Sequence, residues 1–215
     1  MRDRFVYFDL GNVLVKFDHA IATRQLAELA GCSLADSQFA LFDSGLEIRY
    51  ETGLVSSAEF VAEINMQLGT RLPSTVVLEA VSAIFEPNLE ILRGLRHIQA
   101  SGVGIGLLSN TCEGHWEWLK RRQWITAEDW FDPVILSYEA KLMKPDAALY
   151  LHCEQRCGFS GSQIFFTDDR ADNIAAAAAQ GWGTYQYGST DGLITAFDAW
   201  LCVTPAGTVN GTRHW

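Results

Sequence analysis

The sequence is short of positive charge, of long apolar runs and of clustered metal-binding cysteines, and each shortage removes a class of function. Against 26 Asp and Glu stand 16 Lys and Arg, a formal charge of −10 over 215 residues. That balance repels a phosphate backbone unless a concentrated basic patch opposes it, and the pair Arg121 and Arg122 stands isolated. A nucleic-acid partner is not expected. A small anion is still admissible, because a local pocket of Lys and backbone N–H groups outweighs a distant net charge.

No apolar stretch approaches the ~20 residues of a membrane span, so no membrane partner is expected. Met1 to Phe8 is too short and too interrupted by charge to be a secretion signal, and the expected location is cytoplasmic. Cys32, Cys112, Cys153, Cys157 and Cys202 form an odd, scattered set, which favours reduced thiols. Cys153 and Cys157 share a helix face at i, i+4. No CxxC or clustered His completes a site there, and they read as core packing.

With 48% of residues hydrophobic and 20% charged, the chain has enough apolar material for a core and too little charge for disorder. Its length suits one domain carrying a modest insertion. Short apolar runs at Arg4 to Leu10, Val103 to Leu108, Pro133 to Leu136, Ile164 to Thr167 and Gly183 to Tyr187 read as buried parallel strands. Helices are expected between them. Asn88 to Ala100 closes at Gly102, Asp146 to Cys157 at Gly158, and the alanine-rich Asn173 to Gln180 has Asp172 placed to cap it and Gly181 to end it. The alternation implies an α/β fold, a doubly wound parallel sheet.

From Asp18 to about Glu86 the alternation stops. Ala20 to Ala30, Leu34 to Ser44, Ser56 to Leu68 and Ser74 to Phe85 read as helices, the third opened by a Ser56/Glu59 capping box, with no convincing strand. The expected organisation is a core of residues 1–17 and 87–203, a helical-bundle insert of residues 18–86, and a loose tail, 204–215.

In an open parallel sheet the loops at the carboxyl ends of strands form the ligand crevice. Asp9 follows the first strand there, Ser109-Asn110-Thr111 the second and Asp168-Asp169 the fourth, while Lys144 precedes a helix after the third. Carboxylates near one point suit a hard cation such as Mg²⁺. A Lys ammonium, a Ser hydroxyl and backbone N–H groups suit the oxygens of a transferring phosphoryl group.

The order of FDLGN, LLSNT, KPDAALY and FFTDDRADN resembles the four motifs of the haloacid dehalogenase-like superfamily, across nearly the whole chain. The resemblance implies a Rossmann-like core with a type-one helical cap. It also implies Mg²⁺-dependent hydrolysis of a small phosphorylated metabolite, with bacterial sugar-phosphate phosphatases, including those for glucose 1-phosphate, similar in their first motif. It makes Asp9 the nucleophile, Asp169 a metal ligand with Asp168 beside it, and Ser109, Asn110 and Lys144 the phosphate-binding set, Ser109 and Lys144 serving catalysis. Most phosphatases of the superfamily carry a second Asp two residues after the nucleophile; here Gly11 stands there. Its backbone carbonyl can still face the metal, but the carboxyl that protonates the leaving group is missing, worth on the order of 10² to 10⁴ in rate. Asp18 is one substitute acid.

Other readings stand beside these. His115 follows the second motif and could touch substrate, although a helix-surface position is the simpler reading. Glu47, Arg49, Tyr50 and Glu51 either face a cleft or form a solvated helix face. Trp116, Trp118, Trp124 and Trp130 read as packing residues. Two further functions fit the same motifs: dehalogenation of a 2-haloacid, which needs no metal and leaves Asp168-Asp169 without a role, and a weakened, phospho-ligand-binding sensor, which Gly11 would permit. The motifs carry no information on oligomeric state.

Overall fold

The computed structural model describes residues 3–124 and 130–203; the expected loose tail lies outside them. Five parallel strands form the central sheet: β1 (Phe5–Phe8), β4 (Gly104–Ser109), β5 (Val134–Leu136), β6 (Ile164–Asp168) and β7 (Gly183–Gln186), in the order β5-β4-β1-β6-β7. All four residues of β1 and all five of β6 are buried, since helices cover both faces, and this is why they read as unbroken apolar runs. One face packs under α6 (Ile91–Ala100), α7 (Glu113–Arg122) and α11 (Thr190–Cys202), with Phe8, Leu95, Trp118 and Phe197 in its core. The other packs under α9 (Ala147–Cys157) and α10 (Ala171–Ala179), with Tyr7, Tyr150, Cys153 and Trp182. Cys153 and Cys157 are free thiols, the first a core residue and the second packed against that core.

The chain leaves the first sheet strand through β2 (Val15–Phe17) and returns through β3 (Phe85–Pro87), which pair antiparallel. Between them lie α1 (His19–Ala30), α2 (Leu34–Gln38) running into a wider π-type turn at Phe39–Asp43, α3 (Leu46–Glu51), α4 (Ser57–Leu68) and α5 (Ser74–Ser82). This helical layer has its own core around Leu26, Leu46, Phe60, Ile64 and Val77. The Ser56/Glu59 capping box opens α4, satisfying two otherwise orphaned N–H groups.

Several expectations are corrected here. The helix expected through Phe85 ends at Ser82, because Phe85–Pro87 is strand β3. The β2–β3 ribbon was not foreseen. Nor was α11, nor a short α8 (Ser137–Ala140) after β5. Asp172 does not cap α10: Arg170 holds the N-cap position, and Asp172 sits in the first turn paired with the Arg170 guanidinium at 2.7 Å. Arg121 and Arg122 reach Glu79 of α5, each at 3.4 Å, tying α7 to the helical layer. Trp116 and Trp118 are buried in the sheet core, with Trp124 and Trp130 packed against it.

Candidate active site

Parallel register creates the site. Phe8 pairs with Leu107 of β4 on one side and with Thr167 of β6 on the other. The next residues, Asp9 just past β1 and Asp168 at the end of β6, therefore lie side by side, and the Asp9 N–H donates to the Thr167 carbonyl at 3.0 Å. Because β1 is central, chain crossings run away from it in both directions, which opens a crevice at its carboxyl end.

Lys144 reaches this point from the loop ahead of α9. Its Nζ donates to Asp9 Oδ1 at 2.7 Å, to Asp168 Oδ2 at 2.6 Å and to the Leu108 carbonyl at 3.2 Å, so all three ammonium protons are used. Lys144, Asp9 and Asp168 are all buried. Burial pushes the Asp9 carboxyl up to about 7, with Asp168 adding to the push and Lys144 pulling back. Burial alone would lower the Lys144 ammonium; the two carboxylates outweigh it and hold it above its usual range. The group thus stands as a buried ion triad, costly to leave half-made.

Asp168 has no spare capacity. Its Oδ1 accepts from the Arg170 N–H at 2.8 Å, its Oδ2 from Lys144, and Asn173 Nδ2 lies 3.0 Å from both oxygens. Asp169 is half-buried and takes one side-chain bond, from Asn12 Nδ2 at 3.0 Å. Oxygens of Asp9, Asp168 and Asp169 lie within 4.8 Å of one another. Three carboxylates whose oxygens gather at one point, only two of them bonded to the Lys144 ammonium, make a set of oxygen donors that fits Mg²⁺.

The remaining expected residues fall nearby. Asn110 is fastened to the Lys144 backbone, and Ser109, almost fully buried, bonds the Asn110 carbonyl at 3.2 Å. Gly11 and Asn110 line both the main cleft, of about 440 Å³ and open to solvent, and a smaller inner pocket of about 40 Å³ that also contains Ser109. His115 departs from expectation: it lies on α7 but is buried against the helical layer, donating to the Val81 carbonyl at 3.2 Å and lining the inner pocket, and burial lowers its imidazole to about 4. Asp18 is exposed and caps α1, accepting from the Ala20 N–H at 2.8 Å, which occupies it away from the cleft.

The polar cluster on α3 divides by helical angle. Glu47 and Glu51, one turn apart, line the cleft; Arg49 points outward to Glu63 at 3.0 Å; Tyr50 is buried in the helical layer. Burial raises the Glu47 carboxyl to about 8, with Glu51 adding, and raises Glu51 to about 7 against the pull of Lys144. His19 Nε2 lies 3.5 Å from Glu47. Asn12 and Asn173 were not singled out as site residues; both lie within the quoted motifs, and that was the available signal.

Comparison with known proteins fits this geometry. Residues 4–181 match the haloacid dehalogenase-like hydrolase family. The chain belongs to that family. Among curated relatives of this haloacid dehalogenase-like hydrolase, the sesquiterpene phosphatase astK of Aspergillus oryzae is 24% identical over 191 residues, covering 81% of this chain and 84% of the relative. An (S)-2-haloacid dehalogenase of Pseudomonas fluorescens is 30% identical over 114 residues, about half of each chain (50% and 48%). Among solved structures, a HAD family enzyme of Bacteroides thetaiotaomicron in a magnesium complex is 26% identical with a TM-score of 0.76, covering 86% of this chain and 93% of that one. No helix among the described residues is long and apolar enough to cross a membrane.

Proposed function

We propose that this hydrolase is a Mg²⁺-dependent phosphatase that cleaves small phosphomonoesters, sugar phosphates among them, through an aspartyl-phosphate on Asp9. The observation that carries the reading is the Lys144 ammonium bound between Asp9 and Asp168, with Asp169 beside them. An ammonium there orients the nucleophile and meets the charge of an incoming phosphoryl group. Mg²⁺ would be held by Asp9, Asp169 and the Gly11 carbonyl, with Asp168 alongside, and would supply charge neutralisation at the phosphoryl oxygens.

In this reading one Asp9 oxygen stays on Lys144 while the other attacks phosphorus. Asp168, its oxygens filled, keeps Lys144 and Asn173 in place. Ser109, Asn110 and the backbone N–H groups of the loop that follows β4 take phosphate oxygens. Residues 18–86 act as the cap over a core of 1–17 and 87–203, and Glu47, Glu51 and His19 offer hydrogen-bond partners to a hydroxylated leaving group. The test is phosphate release with Mg²⁺ across a panel of esters; Asp9→Asn should abolish it, and turnover unaffected by that change would end the reading.

A second substrate reading has its own observation. A narrow pocket of about 20 Å³ walled by Leu41, Phe42, Phe60, Val81 and Ile84 shares His19 and Glu47 with the cleft. An apolar leaving group would enter it only if the side chains that wall it moved apart, and the fungal relative is named for sesquiterpene substrates. Prenyl phosphates in the same panel decide between the two. Dehalogenation is the weaker alternative, since it leaves Asp169 without work; chloride release that persists in chelator would favour it.

A further inference from the structure

We propose that Glu51, carried by the helical layer, performs the acid–base step for which Gly11 has no side chain. This rests on the phosphatase reading. A Cβ built on Gly11 would lie 2.7 Å from Phe17 Cε1, closer than real contacts allow. The Phe17 ring is in turn packed against His19 and Phe85, at 4.9 and 6.0 Å between ring centres. The space that a side chain at position 11 needs is already filled, so the leaving group's proton must come from elsewhere.

The carboxylates available are few. Asp168 is saturated, Asp169 is bound to Asn12 and belongs to the metal set, and Asp18 caps α1. Glu47 lines the cleft but is drawn toward His19 and the apolar pocket. Glu51 alone lines both the cleft, with Asp9 and Lys144, and the inner pocket, with Gly11, Ser109 and Asn110. Among the described residues no group donates a hydrogen bond to its carboxylate.

Its backbone, by contrast, is fastened to the core. The Glu51 carbonyl accepts from Ser137 Oγ at 2.6 Å, and the same hydroxyl accepts from the Thr111 N–H at 2.9 Å. One residue on, the Thr52 hydroxyl lies 2.9 Å from the Met143 sulfur, beside Lys144. A free carboxyl on a fixed backbone is what positioned proton transfer requires. The charged and titratable groups around it are Glu47 on its own helix, Lys144 ahead of α9, Asp9 after β1, His19 on α1, and Cys112 and His115 at the head of α7. With its carboxyl raised to about 7, Glu51 is partly protonated near neutral pH.

The chemistry balances. As the Asp9 oxygen bonds to phosphorus and the P–O bond to the leaving group breaks, the leaving oxygen keeps the bonding pair and takes the Glu51 proton. Glu51, now a carboxylate, then takes a proton from water as the water oxygen attacks phosphorus. The Asp9–phosphorus bond breaks, and inorganic phosphate, ionised Asp9 and protonated Glu51 are restored.

The full chain with Mg²⁺ tests this on two esters, a hexose 6-phosphate with a poor leaving group and p-nitrophenyl phosphate with a good one. Glu51→Gln should lower turnover of the hexose ester by roughly 10² to 10⁴. On p-nitrophenyl phosphate it should give a burst of about one equivalent of nitrophenolate, then slow turnover, with phosphorylated Asp9 accumulating in acid-quenched protein. Formate should restore turnover to Glu51→Ala, and thermal melts establish that each variant is folded. Equal losses on both esters without a burst would reassign Glu51 to substrate binding, and a wild-type rate in Glu51→Gln would remove it from the reaction; either result overturns the proposal alone. A wild type that releases no phosphate from any ester overturns the phosphatase reading and this inference together.

Discussion

Asn110 holds Lys144 by the backbone at two points: Asn110 Nδ2 donates to the Lys144 carbonyl at 2.9 Å, and the Lys144 N–H donates to Asn110 Oδ1 at 2.8 Å. The side chain therefore fixes where the ammonium can reach. Asn110→Ala breaks both bonds and should cost about 1–3 kcal/mol. Because an error of about 1 Å in a catalytic group can lower the rate by about 10²-fold, kcat should fall by a comparable factor. Urea melts and steady-state kinetics check the pair of effects; lower stability with unchanged kcat would make the clamp purely structural.

Replacing the ammonium is the harsher experiment. Lys144→Met keeps the length of the side chain and leaves Asp9 and Asp168 buried without their cation, which should destabilise the fold by about 3–5 kcal/mol. Burial already raises the Asp9 carboxyl, and without the pull of Lys144 it would rise further, so the loss should be small at pH 4 and grow as pH rises toward neutrality. Melting temperatures across that range, with and without Mg²⁺, provide the measurement. A loss independent of pH would mean that packing, not charge, holds the triad.

Asp168 and Asp169 are neighbours with opposite circumstances, and substitution should separate them. Asp168 is fully buried and bonded at both oxygens, so Asp168→Ala should cost about 3–5 kcal/mol by stranding Lys144 and Asn173. Half-buried Asp169 is held through its side chain by Asn12 alone, so Asp169→Asn should change metal-free stability by less than about 1 kcal/mol. It should instead raise the Mg²⁺ concentration needed for turnover. Equal effects of the two changes on stability would contradict this division of roles.

The sequence carried the sheet because a parallel strand buried on both faces is an unbroken apolar run: Phe5–Phe8 and Ile164–Asp168 need no partner to be read. Helices with a cap at one end and glycine at the other were equally plain, as with Ser56 and Gly69 around α4. The ribbon was not, since Val15–Phe17 and Phe85–Pro87 are three residues each, too short for any period to register, and exist only because they pair. At the site, Asp9, Lys144 and Asp168 were legible from their positions after strands, and register did the rest. For Glu47 and Glu51 the i, i+4 spacing gave a shared face but not its direction. That depends on how α3 docks, through contacts such as Ser137 to the Glu51 carbonyl, and no local pattern encodes such a contact.

The elevated Glu51 carboxyl has a consequence for stability whose sign follows from linkage. Its folded value, about 7, lies above the ordinary glutamate value of 4.5, so the folded protein binds this proton more tightly than the unfolded chain does. Stability is then lost as pH rises from about the unfolded value to about the folded one, and the penalty persists above that. Glu51→Gln removes the penalty, so the variant should melt higher than wild type at pH 8 and nearly equally at pH 4. Each kcal/mol recovered should appear as about 2–4 °C. Greater stability combined with lower activity is the pattern of a group kept for function. A Gln variant less stable at pH 8 would mean that the carboxylate is held by favourable contacts.

Gly11 and Phe17 lend themselves to a double-mutant cycle, because the cost of any side chain at position 11 is traced to one ring. Gly11→Asp would place a carboxyl two residues after Asp9, yet it should lower both stability and turnover, since the Phe17 ring must leave its packing with His19 and Phe85. Overpacking of this kind costs about 1–3 kcal/mol. Phe17→Ala alone should also destabilise, by emptying the same space. Combined, the two should cost less than their sum, by at least about 1 kcal/mol, the usual scale for residues competing for one volume. The double variant also bears on catalysis: with an Asp seated at position 11, adding Glu51→Gln should lower turnover much less than it does in the wild type, because the proton then has a second source. Strict additivity of the stability losses would mean that Phe17 is not what keeps position 11 empty, and an undiminished Glu51→Gln effect would mean that the new carboxyl does not reach the leaving group.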